Sequence, residues 1–139
     1  MKISKHLTLS ELTTSQTAIR RKIDNTPSSE TIINLKLISA KVFEPLRKSL
    51  GQPIRISSGY RSPELNRVIG GARNSQHTTG EALDLQGMGT LKNSQIFKYI
   101  NDNLEFDQLI WEFGTNKEPA WVHVSYKKTG NRKQVLKIK

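Results

Sequence analysis

Two histidines and an aspartate are the residues here whose types and spacing can do chemistry. The chain has three histidines, His6, His77 and His123, and no cysteine. Thiolate nucleophiles, iron–sulfur clusters, disulfides and cysteine zinc fingers are therefore excluded. His77 stands in Ser75-Gln76-His77-Thr78-Thr79-Gly80-Glu81-Ala82-Leu83-Asp84, and His123 in Trp121-Val122-His123-Val124-Ser125-Tyr126. Side chains on a strand alternate between faces. If Val122 and Val124 face a core, His123 points the other way, together with Trp121 and Ser125. If Leu83 and Leu85 face the core, Asp84 also points away, and a carboxylate inside an apolar run needs a partner. Gly80 permits a sharp turn that folds His77 back toward Asp84. Two imidazole nitrogens and one carboxylate oxygen then meet at one point. Zinc takes such ligands, and a catalytic site leaves a fourth position open for water. For a lone histidine, a half-buried structural residue with satisfied ring nitrogens is the favoured reading; the setting of His77 and Asp84 shifts it toward the metal site.

These residues need elements to hold them. Thr8-Leu9-Ser10-Glu11 has a capping-box pattern that starts a short helix, and Asn25-Thr26-Pro27 reads as a turn. A long helix is expected from Ser28-Ser29-Glu30 to about Leu50. Its apolar residues Leu35, Ile38, Val42, Leu46 and Leu50 form one face. Pro45 is expected to kink or split it, and Gly51 to stop it. Pro53 to Ser57 alternates as a strand. Ser62-Pro63-Glu64 supplies a cap, a first-turn proline and an acid for another helix, which Gly70-Gly71 ends. Strands are expected at Glu81–Leu85, Gln108–Phe113, Trp121–Tyr126 and Val135–Ile138, and a helix from Ser94 to about Asn103. Helices gather early and strands late, so the fold class is α+β, with helices packed on a mainly antiparallel sheet.

The 139 residues suit one domain, 1–139, ending in a basic tail from about residue 127. The net charge is +10, which favours polyanionic partners: nucleic acid, an anionic membrane surface or an anionic wall polymer. With 6% aromatic residues and no nucleic-acid motif, stacking platforms are few. No apolar run approaches the ~18 residues of a membrane helix. The basic start, Met1 to His6, is not followed by the apolar stretch of a secretory signal.

Ser75-x-His77-x-x-Gly80-x-Ala82-x-Asp84 followed by Trp121-Val122-His123 resembles the zinc signature of the M15 peptidases. These are D-Ala-D-Ala carboxypeptidases and peptidoglycan endopeptidases whose metal-site fold is shared with lysostaphin-type peptidases and the hedgehog domain. The resemblance extends to Ser57–Ser62, Leu65-Asn66, Gly70-Gly71 and Phe106–Ile110, and its opening, Leu7–Leu12, resembles a small-domain branch common in bacteriophages and bacteria. It implies Zn2+ held by His77, Asp84 and His123. It implies that Arg61 anchors a substrate carboxylate and that Ser75 hydrogen-bonds substrate near the metal. The well-known members carry an acid three residues before the last histidine, where this chain has Ala120. Glu112 is expected to take that role as the general base, in preference to Glu118. The implied activity is zinc-dependent hydrolysis of amide bonds in peptidoglycan stem peptides, as a carboxypeptidase or endopeptidase. A monomer is expected, without nucleic-acid partners or integral membrane contact. It would be made in the cytoplasm without a signal peptide and act at the wall after release, as a phage lysis or virion-associated enzyme. The alternative is a catalytically inactive zinc-binding domain, hedgehog-like, or a basic polyanion-binding module.

Overall fold

Hydrogen bonds local to the sequence start most of the helices. The structure is a computed structural model that describes residues 1–139. A two-stranded antiparallel ribbon, β1 (Lys2–Ser4) and β2 (Leu7–Thr8), opens the chain. Thr8 and Glu11 form the expected capping box at the start of α1 (Leu9–Thr13). Ser15 caps α2 (Gln16–Arg21), a helix the sequence pattern did not mark. Ser28 caps α3 (Ser29–Ile38) by accepting from the Thr31 N–H.

The run from Ser29 to Leu50 stays helical, but its middle differs from a simple kink. Residues Ser39–Phe43 form a π turn in which the Glu44 N–H bonds to the Ser39 carbonyl, and α4 (Glu44–Leu50) follows. Pro45 has no N–H to give and crowds the preceding turn. A widened turn just before it absorbs both defects without breaking the rod. Leu35, Ile38, Val42 and Leu46 are fully buried as one face, joined by Phe43. Leu50 is only partly buried at its end. Gly51 closes α4 at φ 63.

Strand β3 (Ile54–Ser58) leads to α5 (Pro63–Val68), capped by Ser62. A 3₁₀ turn, Gln76–Thr79, precedes β4 (Ala82–Gly87). Then come α6 (Asn93–Asn103), β5 (Gln108–Glu112), β6 (Trp121–Ser125) and β7 (Gln134–Ile138). The five-stranded sheet has the order β3-β4-β6-β5-β7. Its pairings are antiparallel except β5–β7, which is parallel. The α+β class with a mainly antiparallel sheet is therefore observed. The basic C-terminal stretch is more than a tail: its last strand completes one edge of the sheet.

The sheet has two unlike faces. Leu83, Leu85, Val122, Val124 and Leu109 are fully buried against α3, the π turn, α4 and α6. Burial of this apolar layer is the main driving force for the fold, on the order of 1.5–3 kcal/mol per large side chain. The other face carries Asp84, His123 and Ile110 in one register row, because Asp84 pairs with His123 and His123 with Ile110. No helix of the structure is long and apolar enough to cross a membrane.

Candidate metal centre

The register does the first part of the positioning. Asp84 on β4 and His123 on β6 are direct cross-strand partners, so their side chains project from the same face side by side. His77 reaches them from the 3₁₀ turn. Ser75 caps that turn, its Oγ accepting from the His77 N–H, and Gly80 ends it in the left-handed region at φ 77. A Cβ on Gly80 would sit 2.8 Å from the Thr31 carbonyl oxygen, so the turn needs glycine for both its conformation and its packing against α3.

The three side chains converge. His77 Nε2 lies 3.2 Å from Asp84 Oδ1, and His123 Nδ1 lies 3.0 Å from the same oxygen. The two imidazoles meet edge to face, with ring centres 5.1 Å apart. His77 is 2% exposed and Asp84 8%. His77 Nδ1–H donates to the Gly59 carbonyl at 2.7 Å, which fixes the tautomer and leaves Nε2 aimed at the carboxylate.

Charge now tests whether a cation fits. Burial pushes the His77 pKa down, against the pull of Asp84, so its ring stays neutral. A neutral His77 with its proton on Nδ1 turns an Nε2 lone pair toward a carboxylate oxygen. That contact is repulsive unless something positive sits between them. Burial alone would raise the Asp84 pKa, but the hydrogen bond from His123, with the His77 ring beside it, holds its carboxyl well below the usual range, so it is anionic. Ligand atoms at the corners of a tetrahedron with ~2.0–2.1 Å bonds stand about 3.3 Å apart. The two N···O separations match that spacing, and one ligand atom from each of the three residues lies within 4.8 Å of the others. The donor set, its charge and its geometry fit a divalent ion such as zinc.

The trio lies in an open cleft of about 920 Å³ that Arg61, Ser75, Glu112 and Trp121 also line. Arg61 is anchored at its backbone, where its N–H donates to the His77 carbonyl. Its Nη1 donates to Asn66 Oδ1 at 3.1 Å, while its buried Nε has no protein partner. Burial lowers its pKa, with Asp84 and Glu112 pulling the other way. A Cβ on Gly71 would collide with Asn66 Oδ1 and approach Arg61 Nη1 to 2.9 Å, so glycine lets this pair lie against the chain.

The two acids weighed for proton transfer have different settings. Glu112 pairs with Trp121 in the β5–β6 register and lines the cleft diagonally from His123. Burial raises its pKa, with His123 opposing and Asp84 adding to the rise. Glu118 is committed elsewhere: its carboxylate accepts from both the backbone N–H and the hydroxyl of Ser94, at the start of α6. Ala120 instead donates its N–H to the Glu112 carbonyl, as part of the loop between the two strands. The third histidine, His6, stands apart and bonds Glu44 at 2.6 Å.

Sequence reasoning missed Gln76 and Asp107 as neighbours of this site. Gln76 adjoins His77, and its Nε2 donates to Asp107 Oδ2 at 2.9 Å. The signals were Asp107 standing between Phe106 and an alternating strand and its place in the Phe106–Ile110 motif, neither of which says what it bonds.

No curated protein sequence matches the chain. A family model described as Peptidase M15 matches residues 5–125, a span that contains His77, Asp84, His123, Arg61 and Glu112. A match over most of the chain, on a fold that gathers His77, Asp84 and His123 at one point, makes this protein a member of the Peptidase M15 family.

Proposed function

We propose that this peptidase is zinc-dependent and hydrolyses amide bonds of peptidoglycan stem peptides. The observation that carries the reading is the approach of His77 Nε2 and His123 Nδ1 to one Asp84 oxygen, at 3.2 and 3.0 Å, within an open cleft. When bound there, the ion supplies Lewis acidity, polarising an amide carbonyl and acidifying water. The remaining work belongs to side chains. Glu112 takes the water proton and returns it to the leaving amine, and its raised pKa makes it a better base than an ordinary glutamate. Arg61 holds a substrate carboxylate with its planar fork. The Ser75 Oγ already accepts from the His77 N–H, so its own hydroxyl proton is free for a substrate carbonyl. The net charge of +10 draws the protein to a wall rich in carboxylates and phosphates. Such a basic domain suits a phage lysis or virion-associated enzyme.

The test is digestion of purified peptidoglycan, with zinc content measured on the same preparation and the released fragments identified by mass spectrometry. The wild type is expected to carry one zinc and release stem-peptide fragments. The His77→Ala variant is expected to lose both properties. Undiminished digestion by a metal-free His77→Ala protein overturns the reading. A second reading, a zinc domain that no longer hydrolyses, draws on Ala120 standing where well-known members have an acid. Stoichiometric zinc with no fragment release selects it.

A further inference from the structure

Asp107 has no part in the chemistry above, yet it is the most heavily bonded carboxylate near the cleft. It sits just before β5 and is wholly buried. Its side chain accepts from Arg132 Nε at 2.9 Å and Nη2 at 2.8 Å, from the Arg132 backbone N–H at 3.1 Å, and from Gln76 Nε2 at 2.9 Å. Its main chain is tied as well. The Asp107 N–H donates to the Ser125 carbonyl and its carbonyl accepts from the Gln134 N–H. Each partner leads somewhere specific. Gln76 is the residue before His77. Ser125 lies two residues after His123 on the same strand. Arg132 and Gln134 belong to the C-terminal segment, which lies beyond the residues matched by the family model.

One residue therefore joins the turn that bears one histidine and the end of the chain through its carboxylate, and the strand that bears the other histidine through its backbone N–H. We propose that Asp107 is a positioning residue for the metal centre, and that through Arg132 it makes residues 127–138 a supporting wall of that centre. Lys127, Arg132 and Ile138 line the same cleft as His77 and His123. The proposal rests on the zinc reading above. The Gly59 carbonyl holds the His77 ring itself; the physical basis of the proposal is that the short 3₁₀ turn beneath that ring is further pinned from outside through the Gln76 side chain. Groups that orient ligands in this way typically govern metal affinity by about 10–100-fold.

The test measures zinc affinity by competition with a chromogenic chelator, alongside thermal unfolding of the metal-free proteins. Gln76→Ala, Asp107→Asn and Arg132→Gln are compared with wild type and with Glu44→Gln. The last variant takes away the charge and one of the two oxygens that accept from Ser4 and His6 at the amino-terminal ribbon, and serves as a control for general destabilisation. The three variants are expected to bind zinc about 10–100-fold more weakly, while Glu44→Gln loses thermal stability with its zinc affinity unchanged. Unchanged zinc affinity in Gln76→Ala and Arg132→Gln overturns the proposal, whatever their melting temperatures. Those two decide the matter if Asp107→Asn fails to fold, since neither replaces a fully buried group. A wild-type protein that binds no zinc defeats the zinc reading itself. A wild type that binds zinc as tightly as these variants defeats only the role of Asp107.

Discussion

Glu112 and Glu118 show how one local difference separates two chemically identical residues. Both are close in sequence to His123, but one opens on the cleft and the other has its carboxylate engaged by Ser94. Glu112→Gln is expected to lower kcat by about 10²–10⁴, the usual worth of a positioned acid–base group, with zinc content unchanged. Steady-state kinetics with metal analysis checks this. Glu118→Gln is expected to keep full turnover while weakening the start of α6, seen as a lower melting temperature. Loss of turnover in Glu118→Gln would move the general base to that residue. Arg61→Lys is expected to raise KM more than it lowers kcat, because an ammonium keeps the charge but not the fork.

Elements hold these side chains through a few demanding positions. The turn carrying His77 ends at Gly80, where φ is 77 and α3 leaves no room for a methyl group. Gly80→Ala is expected to cost on the order of 1–3 kcal/mol from the backbone conformation alone, and more from the clash with Thr31. Chemical denaturation of the metal-free protein measures it. The helical rod behind the sheet depends on packing. Leu46 lies just past Pro45 and is fully buried. Leu46→Ala is expected to cost about 2–5 kcal/mol without changing the zinc affinity proposed for the protein, because α4 packs on the core side of the sheet and the candidate metal centre lies on the other.

Across the whole molecule, charge acts both inside and outside. The Asp107 carboxyl is held well below the usual range, chiefly by its hydrogen bonds from Arg132, with burial opposing. A depressed pKa in the folded state favours folding above the ordinary carboxyl value of ~3.9. That contribution is lost as pH falls below it toward the folded value. Wild-type stability is expected to drop steeply below about pH 4. Asp107→Asn should be less stable at neutral pH and flatter in the acid range. Melting curves across pH check both features. Outside, the net charge of +10 and the proposed wall substrate together predict retention on purified peptidoglycan that weakens with salt. It should be largely lost near ~1 M, where the screening length is about 3 Å.

Much of this was legible before any coordinates. The capping box at Thr8, the caps at Ser28 and Ser62, the stop at Gly51 and the strand alternation around Asp84 and His123 are local signals. They depend on residues within a turn or two of one another, so sequence suffices to place them. The same alternation implied that Asp84 and His123 leave the core face. It could not supply their register, which only the β4–β6 pairing decides. The β1–β2 ribbon and α2 escaped notice because they are too short to show a period. The π turn escaped because Pro45 announces a defect but not how neighbouring turns absorb it. The parallel docking of β7 and the fourfold grip of Asp107 join residues that sequence keeps far apart. Such contacts form only when the whole chain has collapsed around the sheet. The amino acids by themselves therefore named the chemistry and the faces, whereas the meeting of His77, Asp84 and His123 was decided by long-range packing.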